Sequence, residues 1–167
     1  MNKKVVLALM CVVLLAACVH SSAAGKKKVL RVPGGANIPP LGLSVDASYD
    51  PRLDHLAAGY KVINVAMVNQ SLNIVYLNPE HDKWSIKLKG KRRSQKALHD
   101  LRQQDPKAWA TIPEKARGLV GYPLALPVGA RQVIDLFVPE SIDVERFNEL
   151  HVYLKSLNTR LEVMVSQ

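Results

Sequence analysis

The stretch Leu150-His151-Val152-Tyr153-Leu154-Lys155-Ser156-Leu157-Asn158-Thr159-Arg160-Leu161-Glu162-Val163-Met164-Val165 reads as two strands and the turn between them. Leu150, Val152 and Leu154 alternate with His151, Tyr153 and Lys155, and Leu161, Val163 and Val165 alternate with Glu162 and Met164. A period of two sends successive side chains to opposite faces, so each strand has one apolar and one polar side. Ser156-Leu157-Asn158 supplies the polar turn between them.

The same pattern recurs upstream. Residues 61–69 are rich in β-branched side chains and end at an Asn69-Gln70-Ser71 turn, and residues 72–77 follow as a second strand closed by Asn78-Pro79. Trp84, Ile86 and Leu88 share one face, with Ser85, Lys87 and Lys89 on the other. Ile134, Leu136 and Val138 share a face in a strand over 131–138 that Pro139 ends. Between these groups the period changes. Residues 94–104 place Ala97, Leu98 and Leu101 at helical spacing behind Ser94 as N-cap, with Asp105-Pro106 as the stop. Pro106 and Pro113 each suit the opening of a further short turn, with Gly118 as the last cap. Strands at this spacing with one helical excursion, about 94–117, predict a mainly β chain folded as a β-sandwich.

Near the start, Lys3 and Lys4 precede an apolar run over residues 5–15, and Leu15-Ala16-Ala17-Cys18 follows. A basic tip, a short apolar run and small residues make an export signal, and the run falls short of the roughly 20 residues a spanning helix needs. Leu15-Ala16-Ala17-Cys18 resembles the lipobox of bacterial lipoproteins. The resemblance implies that residues 1–17 are removed as a signal peptide and that Cys18 carries the lipid. Ala23-Ala24-Gly25 offers the alternative of an ordinary cleavage site and a secreted product. In a Gram-negative host, Val19 after the cysteine implies sorting to the outer membrane rather than retention at the inner one.

Removal of residues 1–17 leaves one domain's worth of chain. Its partition is expected to be a flexible tether over 18–43 and a folded domain over 44–167, because Lys26-Lys27-Lys28, Pro33-Gly34-Gly35 and Pro39-Pro40 disfavour regular structure. The lysine triplet suits a solvated spacer or contact with anionic lipid. The two cysteines are Cys11, in the signal, and Cys18. The expected mature domain therefore has no disulfide and no thiol nucleophile, which excludes papain-type chemistry.

Two further segments carry a second resemblance. The run Val62-Ile63-Asn64-Val65-Ala66-Met67-Val68-Asn69-Gln70-Ser71, and Leu126-Pro127-Val128-Gly129 before the strand ending at Pro139, resemble the strand-and-turn signals of immunoglobulin-like domains in exported bacterial proteins. This implies an immunoglobulin-like β-sandwich over about residues 44–166, and it carries no active-site residues.

Charge is concentrated. Eleven basic residues fall between positions 83 and 117 against Asp100, Asp105 and Glu114, a local net of +8, while the chain as a whole has 23 basic and 14 acidic residues. If Trp84, Ile86 and Leu88 face the core, Lys83, Ser85, Lys87, Lys89 and Lys91 project from the other face, successive ones about 6.6–6.8 Å apart. Arg92, Arg93 and Lys96 extend this row. Such a strip suits repeated anions, such as lipid headgroups or acidic glycans, or it serves to keep an edge strand from pairing. Nucleic acid is not expected as a partner, because the export signal removes the chain from the cytoplasm and aromatic residues near the strip are few beyond Trp84 and Trp109.

Catalytic and metal signals are sparse. His55, His81, His99 and His151 lack ligand spacing, and His81-Asp82 needs further partners to hold a metal. Asp46, Asp50 and Asp54 read as a solvated loop, with Pro51 breaking any helix. No serine-hydrolase elbow, phosphate loop or paired-carboxylate pattern is present. The expectation is a lipid-anchored, non-enzymatic envelope binding or assembly module with no cofactor and no metal. Its basic surface would meet an anionic envelope polymer or acidic protein. The alternative is a structural subunit of an envelope complex, docking by a sheet edge or the helical insert.

Overall fold

The structure, a computed structural model, describes residues 28–165. The signal, Cys18 and the Lys26-Lys27 part of the expected tether lie outside the described residues. Eleven strands form two main sheets and a short ribbon. The first sheet orders β1 (Lys28–Pro33), β11 (Thr159–Met164), β10 (Phe147–Leu154), β6 (Lys83–Leu88) and β7 (Gln95–Ala97) side by side. The second orders β2 (Asn37–Ile38), β3 (Leu43–Tyr49), β4 (Tyr60–Asn69) and β9 (Arg131–Pro139). β5 (Val75–Tyr76) and β8 (Ala125–Leu126) make the ribbon.

The alternating strands behave as their sequence demands. Trp84, Ile86, Leu88, Leu150, Val152, Leu154, Leu161 and Val163 point inward from the first sheet. They meet Val45, Ile63, Val65, Met67, Ile134, Leu136 and Val138 from the second. This is a β-sandwich, mainly β, with a helical insert. A second, smaller core lies on the outer face of the other sheet. Val62 and Phe137 there are covered by Leu101 of α1 (Leu101–Gln104), Ala108 of α2 (Pro106–Thr111), Ile112 just past α2 and Val120 beyond α3 (Glu114–Arg117). Tyr60 packs edge-on to Phe137 and donates its hydroxyl to the Asp105 carboxylate, which also caps α2.

Four expectations need correction. The tether does not extend to residue 43, because Lys28–Pro33 is already a strand of the folded domain. β1 runs parallel to β11, with Leu30 and Val32 against the core, and Ile38 of β2 is fully buried. The Pro-Gly and Pro-Pro pairs mark turns between these strands: Gly35 takes a φ of +70°, a conformation open to glycine. Residues 94–104 are not one helix. Gln95–Ala97 is strand, Leu98 exchanges backbone hydrogen bonds with Phe137 of β9 (2.8 and 2.7 Å), and Asp100, not Ser94, caps the first helix. Ala97 enters the main core and the adjacent Leu98 the second core, so the apparent helical spacing is strand alternation between two cores.

Residues 72–77 hold only the two-residue β5. The preceding turn is gathered by Asn69, whose buried carboxamide donates to the carbonyls of Asn73 and Leu126 and accepts from the Ser71 amide and hydroxyl. The three aspartates also do not form one solvated loop. Asp46 lies in β3, Asp50 caps the turn Pro51–Leu53, and Asp54 accepts the Tyr49 hydroxyl at 2.6 Å. Burial, followed by that bond, pushes the Tyr49 phenol up to about 12.

Candidate functional site

Alternation on β6 decides which face each lysine takes. With Trp84, Ile86 and Leu88 buried, Lys83, Ser85 and Lys87 project from the outer face of the first sheet, and Lys89 continues beyond the strand end. Lys91, Arg92 and Arg93 follow in an exposed turn around Gly90, which adopts φ +78°. Lys96 returns on β7 opposite Ser85. The seven residues singled out in the sequence thus form one continuous surface from β6 through the turn to β7.

They are not equivalent. Lys87 binds Glu149 at 2.8 Å, and this ammonium, followed by His151, holds the Glu149 carboxyl below its usual range. Lys83, Lys89, Lys91, Arg92, Arg93 and Lys96 are exposed and have no carboxylate within 4 Å among the described residues. Arg160, on β11, is a further exposed and unpaired cation, whereas Arg31 of β1 pairs with Glu162. Lys83, Lys96 and Arg160 converge on a cleft of about 520 Å³, with Ser85, Ser94 and the acidic Glu80 among its lining. An exposed ion pair contributes only about 0.2–1 kcal/mol. A single small anion would therefore be held weakly here, while a chain of anions adds contacts along the strip.

Sequence reading missed the polar row beside the strip. Glu149 and His151, two apart on β10, point to the same side. The Glu149 carboxylate accepts from His151 Nε2 at 3.1 Å, and Ser94 Oγ lies 3.1 Å from His151 Nδ1. A carboxylate can only accept, so Nε2 carries the proton, leaving Nδ1 of the neutral ring to accept from the Ser94 hydroxyl. This has the order of a nucleophile relay. The Glu149 carboxylate is shared with the Lys87 ammonium, so it does not serve the relay alone.

A buried polar group closes the opposite end of β6. Asp82 is 3% exposed and accepts the backbone N–H groups of Asn78 and Lys155, both at 2.8 Å, and the Tyr122 hydroxyl at 2.9 Å. The Trp84 indole N–H donates to the same hydroxyl at 3.1 Å. Burial, followed by the Asp82 charge, pushes the Tyr122 phenol far up. His99 packs against Tyr122 with ring centroids 4.5 Å apart and donates Nε2–H to the Pro79 carbonyl at 2.9 Å. Burial holds its imidazole below the usual histidine value. His55 and His81 are exposed. Among the described residues, no three His, Cys, Asp or Glu side chains gather to hold a metal, and no helix is long and apolar enough to cross a membrane.

Only the lysine alternation gave a readable signal. Glu149 and Arg160 reach this face through strand pairings between residues far apart in sequence, and Ser94 through the turn that precedes β7. Compared with known proteins, the chain matches no family model, no curated protein and no solved structure.

Proposed function

We propose that this chain is a lipid-anchored cell-envelope binding module, non-enzymatic, whose basic face engages an anionic envelope polymer. The Leu15-Ala16-Ala17-Cys18 lipobox supports the anchor at Cys18 and an outer-membrane address in a Gram-negative host. The immunoglobulin-like resemblance fits a binding scaffold. One observation carries the reading: six exposed cations, Lys83, Lys89, Lys91, Arg92, Arg93 and Lys96, run along one surface without a carboxylate partner among the described residues. Cations held apart from acids gain nothing for the fold and are available to a ligand.

The test is binding of the full-length protein, in detergent, to purified lipopolysaccharide and to a heparin column at increasing salt. Replacing Lys89, Arg92, Arg93 and Lys96 together by glutamine is expected to cut affinity about tenfold, from four contacts at about 0.2–1 kcal/mol each. It should also flatten the salt dependence. Unchanged affinity in the quadruple variant would overturn the reading. A partner retained at high salt in fixed stoichiometry would favour a subunit of an envelope complex instead. Covalent labelling of Ser94 by a fluorophosphonate, lost in His151→Ala, would convert the relay into a working nucleophile and refute the non-enzymatic part.

A further inference from the structure

Neither residues 69–79 nor residues 118–130 contain an Asp, Glu, Lys or Arg, in a chain that is 22% charged. The fold brings these two segments together as the β5–β8 ribbon, with Val75 opposite Leu126 and Tyr76 opposite Ala125. Val75 and Leu126 turn into the core, while Leu72, Ile74, Tyr76, Leu124 and Val128 stay exposed, Leu72 at 93%. Among the described residues, these five and Leu119 make up six of the nine exposed large apolar side chains. The other three, Val29, Val133 and Met164, lie on separate strands. An apolar cluster of this kind on an exported domain marks a surface that is covered in use.

The position of the ribbon says what covers it. Ser156 donates its hydroxyl to the Tyr76 carbonyl at 2.6 Å, which joins the ribbon to the β10–β11 turn. Thr159, just past that turn, pairs with Lys28, the first residue of β1. The ribbon therefore adjoins the point at which residues 1–27 enter the domain. Cys18 stands ten residues before Lys28, a span of at most about 35 Å even when fully extended. That is roughly the width of a domain of this size, whose radius of gyration is about 14 Å. An acyl anchor at Cys18 thus keeps this end of the molecule near the bilayer. Exposed Lys155 adjoins Ser156 and exposed Lys28 pairs with Thr159, so cations flank the turn that holds the ribbon, with the exposed acid Glu80 shortly before β6. Apolar and tyrosine side chains rimmed by cations match the interfacial zone of an anionic membrane.

We propose that the β5–β8 ribbon rests on the bilayer that holds the lipid of Cys18. The domain then lies on the membrane by this end rather than standing free of it. β6 runs from this end to the Lys89–Arg93 turn, about 17–20 Å away at the rise of a strand. The basic turn consequently faces away from the lipid, toward ligands beyond it. The inference rests on the lipid-anchor reading of Cys18.

The mature chain expected from that reading has no free thiol, so a single cysteine can be labelled. The full-length protein, processed in cells and purified, carries Leu72→Cys or, as control, Arg92→Cys, each labelled with nitrobenzoxadiazole. Each is reconstituted into vesicles of phosphatidylethanolamine and phosphatidylglycerol. At position 72 the expected result is blue-shifted emission, quenching by acyl-chain nitroxide lipids and loss of quenching by aqueous iodide. At position 92 iodide should still quench and the lipid nitroxides should not. A label at 72 that stays iodide-accessible on protein that floats with the vesicles would overturn the proposal and leave the anchor standing. Shielding from both quenchers would overturn it in favour of a protein contact. Protein that does not float at all would refute the anchor itself, and the proposal with it.

Discussion

Where β6 begins, buried polar groups tie the chain down; where it ends, nothing comparable does. At the first end, Asp82 gathers three donors and Asn69 serves four groups, both inside apolar surroundings. The ribbon they hold presents an uncharged surface. At the far end, the Lys89 N–H donates to the Arg146 carbonyl, its carbonyl accepts from the Arg146 guanidinium, and the next residues are exposed cations around a glycine turn. The lesson is one of separable duties. A buried carboxylate or carboxamide with satisfied partners specifies a conformation, because losing a partner strands the others without water. An exposed lysine specifies almost nothing about the fold.

The comparison can be broken most severely at Asp82. Replacing it by alanine leaves two buried N–H groups and a tyrosine hydroxyl without an acceptor. A loss of about 3 kcal/mol is expected in urea unfolding, and a loss below about 0.5 kcal/mol would remove Asp82 as the organiser of this end. Asn69→Ala should follow at about 2 kcal/mol, since its carboxamide ties the turn before β5 to Leu126 of β8. It should also raise hydrogen exchange at the amides of 71–77 before any other segment.

A smaller effect belongs to His99, and its sign follows from burial. Its folded-state value lies below the ordinary value of about 6.5. The unfolded chain therefore takes up the proton first as pH falls. Stability should decline from about pH 6.5 down to the lowered value and level off beneath it. His99→Phe should flatten that segment of the stability–pH curve. A wild-type curve already flat between pH 7 and pH 5 would contradict the assignment. The least effect on stability is expected at the basic turn: glutamine at Lys89, Lys91, Arg92 and Arg93 should leave unfolding free energy within about 0.5 kcal/mol. A larger loss of stability there would erase the distinction between the two ends.

Much of the sandwich was legible beforehand. The faces assigned to Trp84, Ile86 and Leu88, to Ile134, Leu136 and Val138, and to the last hairpin are the faces the structure buries. Alternation is a local property, carried by neighbours two apart, so it can be read directly. β1 was missed because its lysine and prolines suggested a spacer, although Val29, Leu30, Arg31 and Val32 pair along β11. β7 was misread because a strand that serves two cores in succession mimics helical spacing at Ala97, Leu98 and Leu101. In the candidate site, the lysine row was readable as a face. The pairing of Lys87 with Glu149, which separates it from the other six cations, was not.

By itself the sequence determined the strand faces, the concentration of cations between positions 83 and 117 and the two uncharged segments. Each is a matter of composition or of spacing along the chain. Only the tertiary structure decided that Asp82 is buried among three donors, that Ser94 meets His151 and that the uncharged segments lie together beside the entry of β1. Those contacts join residues such as Ser156 and Tyr76, 80 positions apart, or Ser94 and His151, 57 apart. Their partners are chosen by how the two sheets stack and register, a choice made by packing of the shared core rather than by any local run of residues.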